Sequence, residues 1–266
     1  MNRMSPDPRT TVVTFERDGA IARLVLNRPQ QLNAISPELL GDLDAICQAL
    51  ESDDSIKVVT LRGSGRAFCA GADLKVVEEY APDPDKWQRF MTRWHRVFDR
   101  IEALPQIVIG GVHGFALAGG LELVLVCDLT VADEEARVGD QHANFGLVAG
   151  GGGSQRLPRL IGARRAKELM LLGGWLSARQ AMDWGLVNRV APAGKLAETL
   201  GELARDLASK SGSSNRTVKT LVNRSFDCDL ASGLELERAA VARHMQSADA
   251  KEGLRAFAEK RRPTFR

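Results

Sequence analysis

The chain opens with apolar and polar residues in short alternation. Residues 11–16 and 20–26 flank Asp18-Gly19, a pair that favours the positive φ of a tight hairpin. The period then lengthens. Ser36-Pro37-Glu38 supplies a helix cap, a proline suited to the first helical position and an early acid, after which Leu39, Leu40, Leu43, Ile46 and Leu50 share one face. Residues 56–61, 106–111 and 129–132 are short apolar runs that predict buried strands, with helices around 85–104 and 119–127 between them. Strands alternating with helices predict an α/β fold. Tyr80-Ala81-Pro82-Asp83-Pro84-Asp85 reads as a loop between helices. From Ala163 onward the pattern is almost wholly helical, with Ser177 as a cap and only 186–190 as a further strand.

One helix start carries chemistry. Phe115-Ala116-Leu117-Ala118-Gly119-Gly120-Leu121-Glu122-Leu123 is a Gly-Gly turn opening an apolar helix with one carboxylate a turn inside it. The first turn of a helix leaves N–H groups without partners at the positive end of the peptide dipoles, and glycine lets an oxygen come close to them. Glu122, among apolar neighbours, reads either as a catalytic acid or as a structural one paired to an arginine. A second small-residue loop, Arg66-Ala67-Phe68-Cys69-Ala70-Gly71-Ala72-Asp73-Leu74-Lys75, follows the strand at 56–61 and can offer another bare N–H, which would make a pair of oxyanion donors. Small-residue loops also serve turn geometry alone.

Composition narrows the classes of function. At 266 residues the chain can bury a full core as one large domain. Hydrophobic content of 44% and charged content of 26% suit a soluble globular protein, and a net charge of +2 argues against nucleic acid or a membrane surface. No apolar run approaches a bilayer span, and Met1 to Thr10 holds no apolar signal core, so the cytoplasm is the expected location. Cys47, Cys69, Cys127 and Cys228 are widely spaced and read as reduced core residues, and Cys69 lacks the neighbouring histidine of a nucleophile. The four histidines are scattered, so no metal site is expected. Gly150 to Gly153 precede a helix start near Ser154 but lack the Gly-Lys-Ser/Thr of a nucleotide loop and the spaced glycines of a dinucleotide site. That backbone passes close either to a reacting group or to a tightly packed neighbour. Lys260-Arg261-Arg262 reads as a solvated helix end.

Taken in order, these segments resemble the crotonase superfamily, the enoyl-CoA hydratase/isomerase proteins, along nearly the whole chain. Arg28-Pro29-Gln30-Gln31-Leu32-Asn33-Ala34 resembles the family's opening strand-to-helix passage, and Arg66 to Lys75 its first oxyanion loop. Leu117 to Glu122 resembles the second oxyanion element, Gly152-Gly153-Ser154-Gln155-Arg156-Leu157 the following helix start, and the stretch from Ala256-Phe257 to Phe265 the C-terminal helix.

The resemblance implies a ββα spiral core over residues 1–200 that binds acyl-CoA, and a helical trimerisation region over 201–266, with trimers often paired into hexamers. It implies that Ala72 and Gly119 N–H groups hold the thioester oxygen and that Ala70, Asp73, Leu74, Lys75, Leu117, Gly120, Val148 and Lys260 line the substrate. The loop at 80–85 would border the acyl pocket, with Trp87, Phe90 and Met91 as further candidates for its wall or for core. Coenzyme A arrives as part of the substrate, with no metal or redox cofactor.

One departure matters. Hydratases of this family use two glutamates twenty positions apart, and counting from Glu122 gives His142, in Asp140-Gln141-His142-Ala143-Asn144-Phe145-Gly146. Imidazole titrates nearer neutrality than a glutamic acid and can hold or deliver a proton there, although its different shape makes it equally a pocket-lining residue. The expectation is a hydratase-like lyase in which Glu122 activates water and His142 protonates the α carbon or orients the water. Isomerisation, thioester hydrolysis, C–C cleavage, or acyl-CoA binding without turnover are the alternatives.

Overall fold

The computed structural model describes residues 11–265. The stretch read above for a signal core, 1–10, lies outside the described residues, as does Arg266. Strands β1 (Val13–Asp18) and β2 (Ile21–Leu26) pair as the expected hairpin, with Asp18 opposite Ile21 and Gly19 at φ +58° in the turn. Helix α1 (Pro37–Glu51) begins where the Ser36 hydroxyl accepts the Leu39 N–H at 3.3 Å, and it buries Leu39, Leu40, Leu43, Cys47 and Leu50. β3 (Val58–Gly63) leads to α2 (Leu74–Tyr80) and α3 (Pro84–Ala103). Asp83 caps α3 and Pro84 sits in its first turn, so the loop expected at 80–85 contracts to 81–83.

Then follow β4 (Ile107–Val112), β5 (Phe115–Leu117), α4 (Gly119–Leu125), β6 (Leu129–Asp133), β7 (Arg137–Gly139), α5 (Gly153–Ile161), α6 (Ala163–Leu172) and β8 (Trp175–Ser177). Helix α7 (Ala178–Asp183) starts in a capping box between Ser177 and Gln180, and β9 (Arg189–Ala191) comes after it. The chain ends in α8 (Leu196–Ala208), α9 (Gly212–Arg224), α10 (Leu230–His244) and α11 (Ala248–Ala258).

The larger sheet runs β1-β2-β3-β4-β6-β9, parallel from β2 onward, and a smaller one runs β5-β7-β8. A bridge from Cys69 to Ala116 extends the smaller sheet. Successive turns of chain therefore place one strand in the large sheet, a short one in the small sheet and then a helix, as in β4-β5-α4 and β6-β7-α5, which is a ββα spiral. The sequence pattern misses the three-residue strands β5, β7 and β8, which are too short to show a period, and it sets the last strand at 186–190, where β9 covers Arg189–Ala191.

Alternate residues of the parallel strands face two cores. Val59, Val108 and Val112 join the main core with α1, α3 and α4. Val58, Ile107, Ile109 and Val131 pack under Leu196, Leu200 and Leu203 of α8. Gly111 permits that approach, since a Cβ there would lie 2.8 Å from Leu200 Cδ2.

The C-terminal helices are tied to the spiral by one buried ion pair. Lys219 Nζ on α9 donates to Asp128 Oδ2 at 2.7 Å and to the Gln106 carbonyl at 3.0 Å, and Asp128 also accepts the Val108 N–H. Burial pushes the Asp128 carboxyl up, against the pull of Lys219. Removing the cation alone would strand a buried carboxylate. Lys219→Ala is therefore expected to destabilise the protein by about 3 kcal/mol, read by denaturant unfolding; a loss under about 0.5 kcal/mol, typical of a surface change, would contradict it.

Candidate active site

Two loops, one leaving β3 of the larger sheet and one leaving β5 of the smaller sheet, touch. The first follows β3, with Gly71 at φ +105°, and a Cβ on Gly71 would stand 3.2 Å from both the Ala118 methyl and the Leu117 carbonyl. The second enters α4, where a Cβ on Gly120 would fall 2.0 Å from the Cys69 carbonyl oxygen. Only glycine allows this contact. Ala118, between them, is held at φ 48°, ψ −115°, a conformation that costs a non-glycine residue on the order of 1–3 kcal/mol. Its N–H bonds the Gly139 carbonyl and its carbonyl accepts from Glu122 N–H, so the strained residue is fixed from both sides.

The amides of these loops are partitioned. Ala70 N–H donates to Leu32, Asp73 N–H to Ile35, and Leu117 N–H to Cys69. Ala72 N–H and Gly119 N–H, like the Gly71 and Gly120 amides next to them, donate to no protein acceptor among the described residues. The opening passage braces the first loop. Arg28 Nη2 meets Asp73 Oδ2 at 2.7 Å, and the buried Asn33 amide donates to the Ser64 and Ala67 carbonyls at 2.9 and 2.8 Å. Arg28 and Asn33 are structural contributors that helical and strand periods could not reveal, because they act from an irregular turn with Asn33 at φ 56°.

Glu122 lies on the buried helix α4 and is 1% exposed. Its partner is not an arginine. Oε1 accepts the N–H groups of Gly151 at 2.7 Å and Gly153 at 2.9 Å, while Oε2 takes no protein donor among the described residues. The glycine run is thus an anion cradle whose anion is a side chain of the same protein. A Cβ on Gly151 would lie 2.5 Å from Glu122 Oε2 and 2.6 Å from Trp94 Nε1, a buried N–H with no acceptor. Burial pushes the Glu122 carboxyl up, opposed by the Gly153 N–H, by His142 and by the Gly151 N–H. A carboxyl raised in this way costs stability as pH climbs from its unfolded value through its folded one.

His142 opens a one-turn helix, His142–Phe145, just beyond β7. Its Nδ1 lies 3.0 Å from Asp140 Oδ1. Burial lowers its basicity, but the Asp140 hydrogen bond and the charges of Asp140 and Glu122 outweigh that and raise it above the ordinary 6.5. Each of Glu122 and His142 feels the charge of the other.

The remaining candidates are spread. Ala70, Asp73 and Leu117 are half-buried in the two loops, and Asp73 caps α2. Leu74 and Lys75 are exposed on the first turn of α2, and Val148 is exposed beyond His142. Phe90 is buried in an aromatic row with Tyr80, Trp87 and Trp94, and a Cβ on Gly150 would lie 3.0 Å from Met91 Cε. Lys260 meets none of these residues within one chain. The tail beyond it returns to Lys57, which precedes β3, at the end of that strand away from the loops. Cys69 is fully buried, its thiol pushed up to about 12 by burial, which suits packing rather than nucleophilic attack. A surface hollow of about 400 Å³, lined by Arg66, His113, Phe115, Asp133 and Arg137, contains no candidate residue. Among the described residues no cluster of three or more metal-ligating side chains occurs, and no helix is long and apolar enough to cross a membrane.

Comparison with known proteins gives one consistent result. Residues 16–266 match the enoyl-CoA hydratase/isomerase family. YngF of Bacillus subtilis, named for that hydratase/isomerase group, is 40% identical over 247 residues, 92% of this chain and 94% of that one. The short-chain-enoyl-CoA hydratase of Clostridium acetobutylicum is 34% identical over 94% of this chain and 95% of its own. The crystal structure of enoyl-CoA hydratase from Bacillus anthracis superposes with a TM-score of 0.92 at 36% identity, covering 96% of this chain and 98% of that one. The expected crotonase fold is the one observed, and the chain belongs to the enoyl-CoA hydratase/isomerase family of the crotonase superfamily.

Proposed function

We propose that this protein is an enoyl-CoA hydratase-like lyase that adds water across a 2-enoyl-CoA thioester. The observation that carries the reading is the pair of uncommitted amides, Ala72 N–H and Gly119 N–H, on touching loops at the mouth of the helix that holds Glu122. In this reading the two amides receive the thioester oxygen as it gains enolate charge, each contributing about 3 kcal/mol to the barrier reduction. Glu122 Oε2 takes a proton from water as the oxygen bonds the β carbon, and His142 gives a proton to the α carbon. One proton then passes from Glu122 to His142 through solvent, and the cycle closes without a metal or redox partner, because main-chain dipoles carry the charge. Ala70, Asp73, Leu74, Lys75, Leu117, Gly120 and Val148 are assigned to the thioester and its acyl and nucleotide ends, with Lys260 reaching a neighbouring subunit's ligand.

The imidazole in place of the second carboxylate motivates a second reading, in which the same enolate leads to isomerisation, hydrolysis or C–C cleavage. Mass spectrometry over a panel of acyl-CoAs separates these products, with double-bond position read separately.

Assembly belongs to the proposal too. α10 buries none of its residues, and Leu230, Leu234, Leu236 and Val241 stand exposed on it; Val218 and Val222 of α9, Phe226 in the turn after it and Phe257 of α11 are exposed too. Exposed apolar side chains in such number call for cover. We assign it to a homotrimer, open to pairing into hexamers, with residues 1–200 as the spiral core and 201–266 as the helical region that joins subunits. The unpaired cysteines accord with a cytoplasmic setting.

Glu122→Gln keeps an oxygen for both glycine amides but cannot take a proton. It is expected to lower hydration of crotonyl-CoA by about 10²–10⁴-fold, measured as loss of enoyl absorbance, and unchanged turnover would refute the assignment. Activity needs Glu122 ionised and His142 protonated, so the pH profile is expected to be bell-shaped. Its rising limb lies above the ordinary 4.5 of a glutamic acid and its falling limb above the ordinary 6.5 of a histidine; a profile flat through both regions would contradict these roles. In sedimentation the protein is expected at three or six times the subunit mass, and Leu234→Glu with Val241→Glu is expected to shift it toward monomer; a wild-type monomer would overturn the trimer.

A further inference from the structure

The buried carboxylate at 140 is unexplained by the reading above. Asp140 directly follows β7 and is 1% exposed. Its Oδ1 accepts the His142 N–H at 3.3 Å and lies 3.0 Å from the ring Nδ1, while its Oδ2 is buried with no partner. A carboxylate kept for turn geometry alone would normally find donors for both oxygens, because a buried bare oxygen is destabilising. The segment around it is built stiffly. Gln141 is held in the left-handed region at φ 63°, and its side-chain amide donates to the Gly173 and Gly174 carbonyls at 2.6 and 3.1 Å. Asn144 donates to the same Gly173 carbonyl at 2.9 Å. The ring is therefore anchored through its main chain on one side and through Nδ1 on the other.

An ionised carboxylate can only accept, so Nδ1 must carry the hydrogen of this bond, and Nε2 is left as the exchanging nitrogen. We propose that Asp140 is the positioning residue of the second acid-base centre: it fixes His142 as the Nδ1–H form, presents Nε2 to the substrate's α carbon and stabilises the imidazolium that delivers the proton. The proposal rests on the assignment of His142 as proton donor. The charged groups that face the ring are Asp140, from its own loop, and Glu122, from α4, and both favour the cation. When Nε2–H gives its proton to the α carbon the ring becomes neutral with Nδ1–H intact, and Asp140 neither gains nor loses a proton. Asp140 thus does for an imidazole what burial does for a catalytic glutamic acid, holding a proton available near neutrality.

Asp140→Asn in the full chain, with histidine ring nitrogens labelled and assigned by comparison with His142→Ala, tests this. In the wild type the ring nitrogen shifts are expected to report Nδ1–H at high pH. In Asp140→Asn the His142 titration is expected to fall by about 1 pH unit, and the falling limb of kcat to move down with it, with KM nearly unchanged. An Nε2–H form in the wild type, or an unmoved ring titration in the variant, would overturn the positioning role; both readouts need no turnover. Full hydration activity in His142→Ala would instead overturn the donor assignment beneath it. Thermal melting of the wild type and Asp140→Asn is expected to coincide within a few degrees, and a variant that loses its fold leaves the wild-type ring form as the deciding measurement.

Discussion

The hydrogen bonds from Gly151 and Gly153 to Glu122 are the constraint on which the rest of the site depends. A carboxylate on a wholly buried helix is tolerable only if its charge is met, and here main-chain amides meet it on one oxygen. That arrangement holds the glycine run against α4 and leaves the second oxygen as the chemically available one. It also explains why the run must be glycine: a methyl on Gly151 would collide with both the Glu122 carboxylate and the Trp94 indole. The dipole of α4 is not spent on its own glutamate, so its N-terminal amide at Gly119 stays free for an external oxygen.

Much of this was legible in the sequence where the physics is local. The Ser36 cap, the proline at 37 and the leucine stripe predicted α1 within its observed bounds, and the Asp18-Gly19 pair placed the hairpin turn. The two small-residue loops were recognisable because close backbone approach requires glycine whatever the partner. What the sequence hid was long-range. β5, β7 and β8 exist because Cys69, Ala116 and Val138 line up across the spiral, a property of topology rather than of any three residues. The guest of the glycine cradle was hidden for the same reason, since Glu122 lies some thirty positions earlier. Asp140 was in plain view two residues before His142, but an i, i+2 carboxylate reads as an ordinary turn former until its second oxygen is found buried and bare.

The C-terminal helices illustrate a different limit. Their sequence is clearly helical, and their fold confirms it, yet a helix such as α10 with no buried residue makes little sense in an isolated chain. The buried Lys219–Asp128 pair fixes where α9 leaves the spiral, and the apolar residues beyond it face outward. Little of the apolar surface of these last helices is buried within one chain, whereas the spiral closes its own core.

The touching loops have a consequence for how such a protein changes over time. Both free amides belong to the main chain and are locked by the Gly120–Cys69 contact and the strained Ala118, so no single side-chain replacement can retune them gently. Position 142 lies on a separate turn, so under the proposed mechanism a change there would alter the proton donor without disturbing the two amides. Under the proposed mechanism, the part that makes the enolate is rigid and the part that decides its fate is a single replaceable side chain.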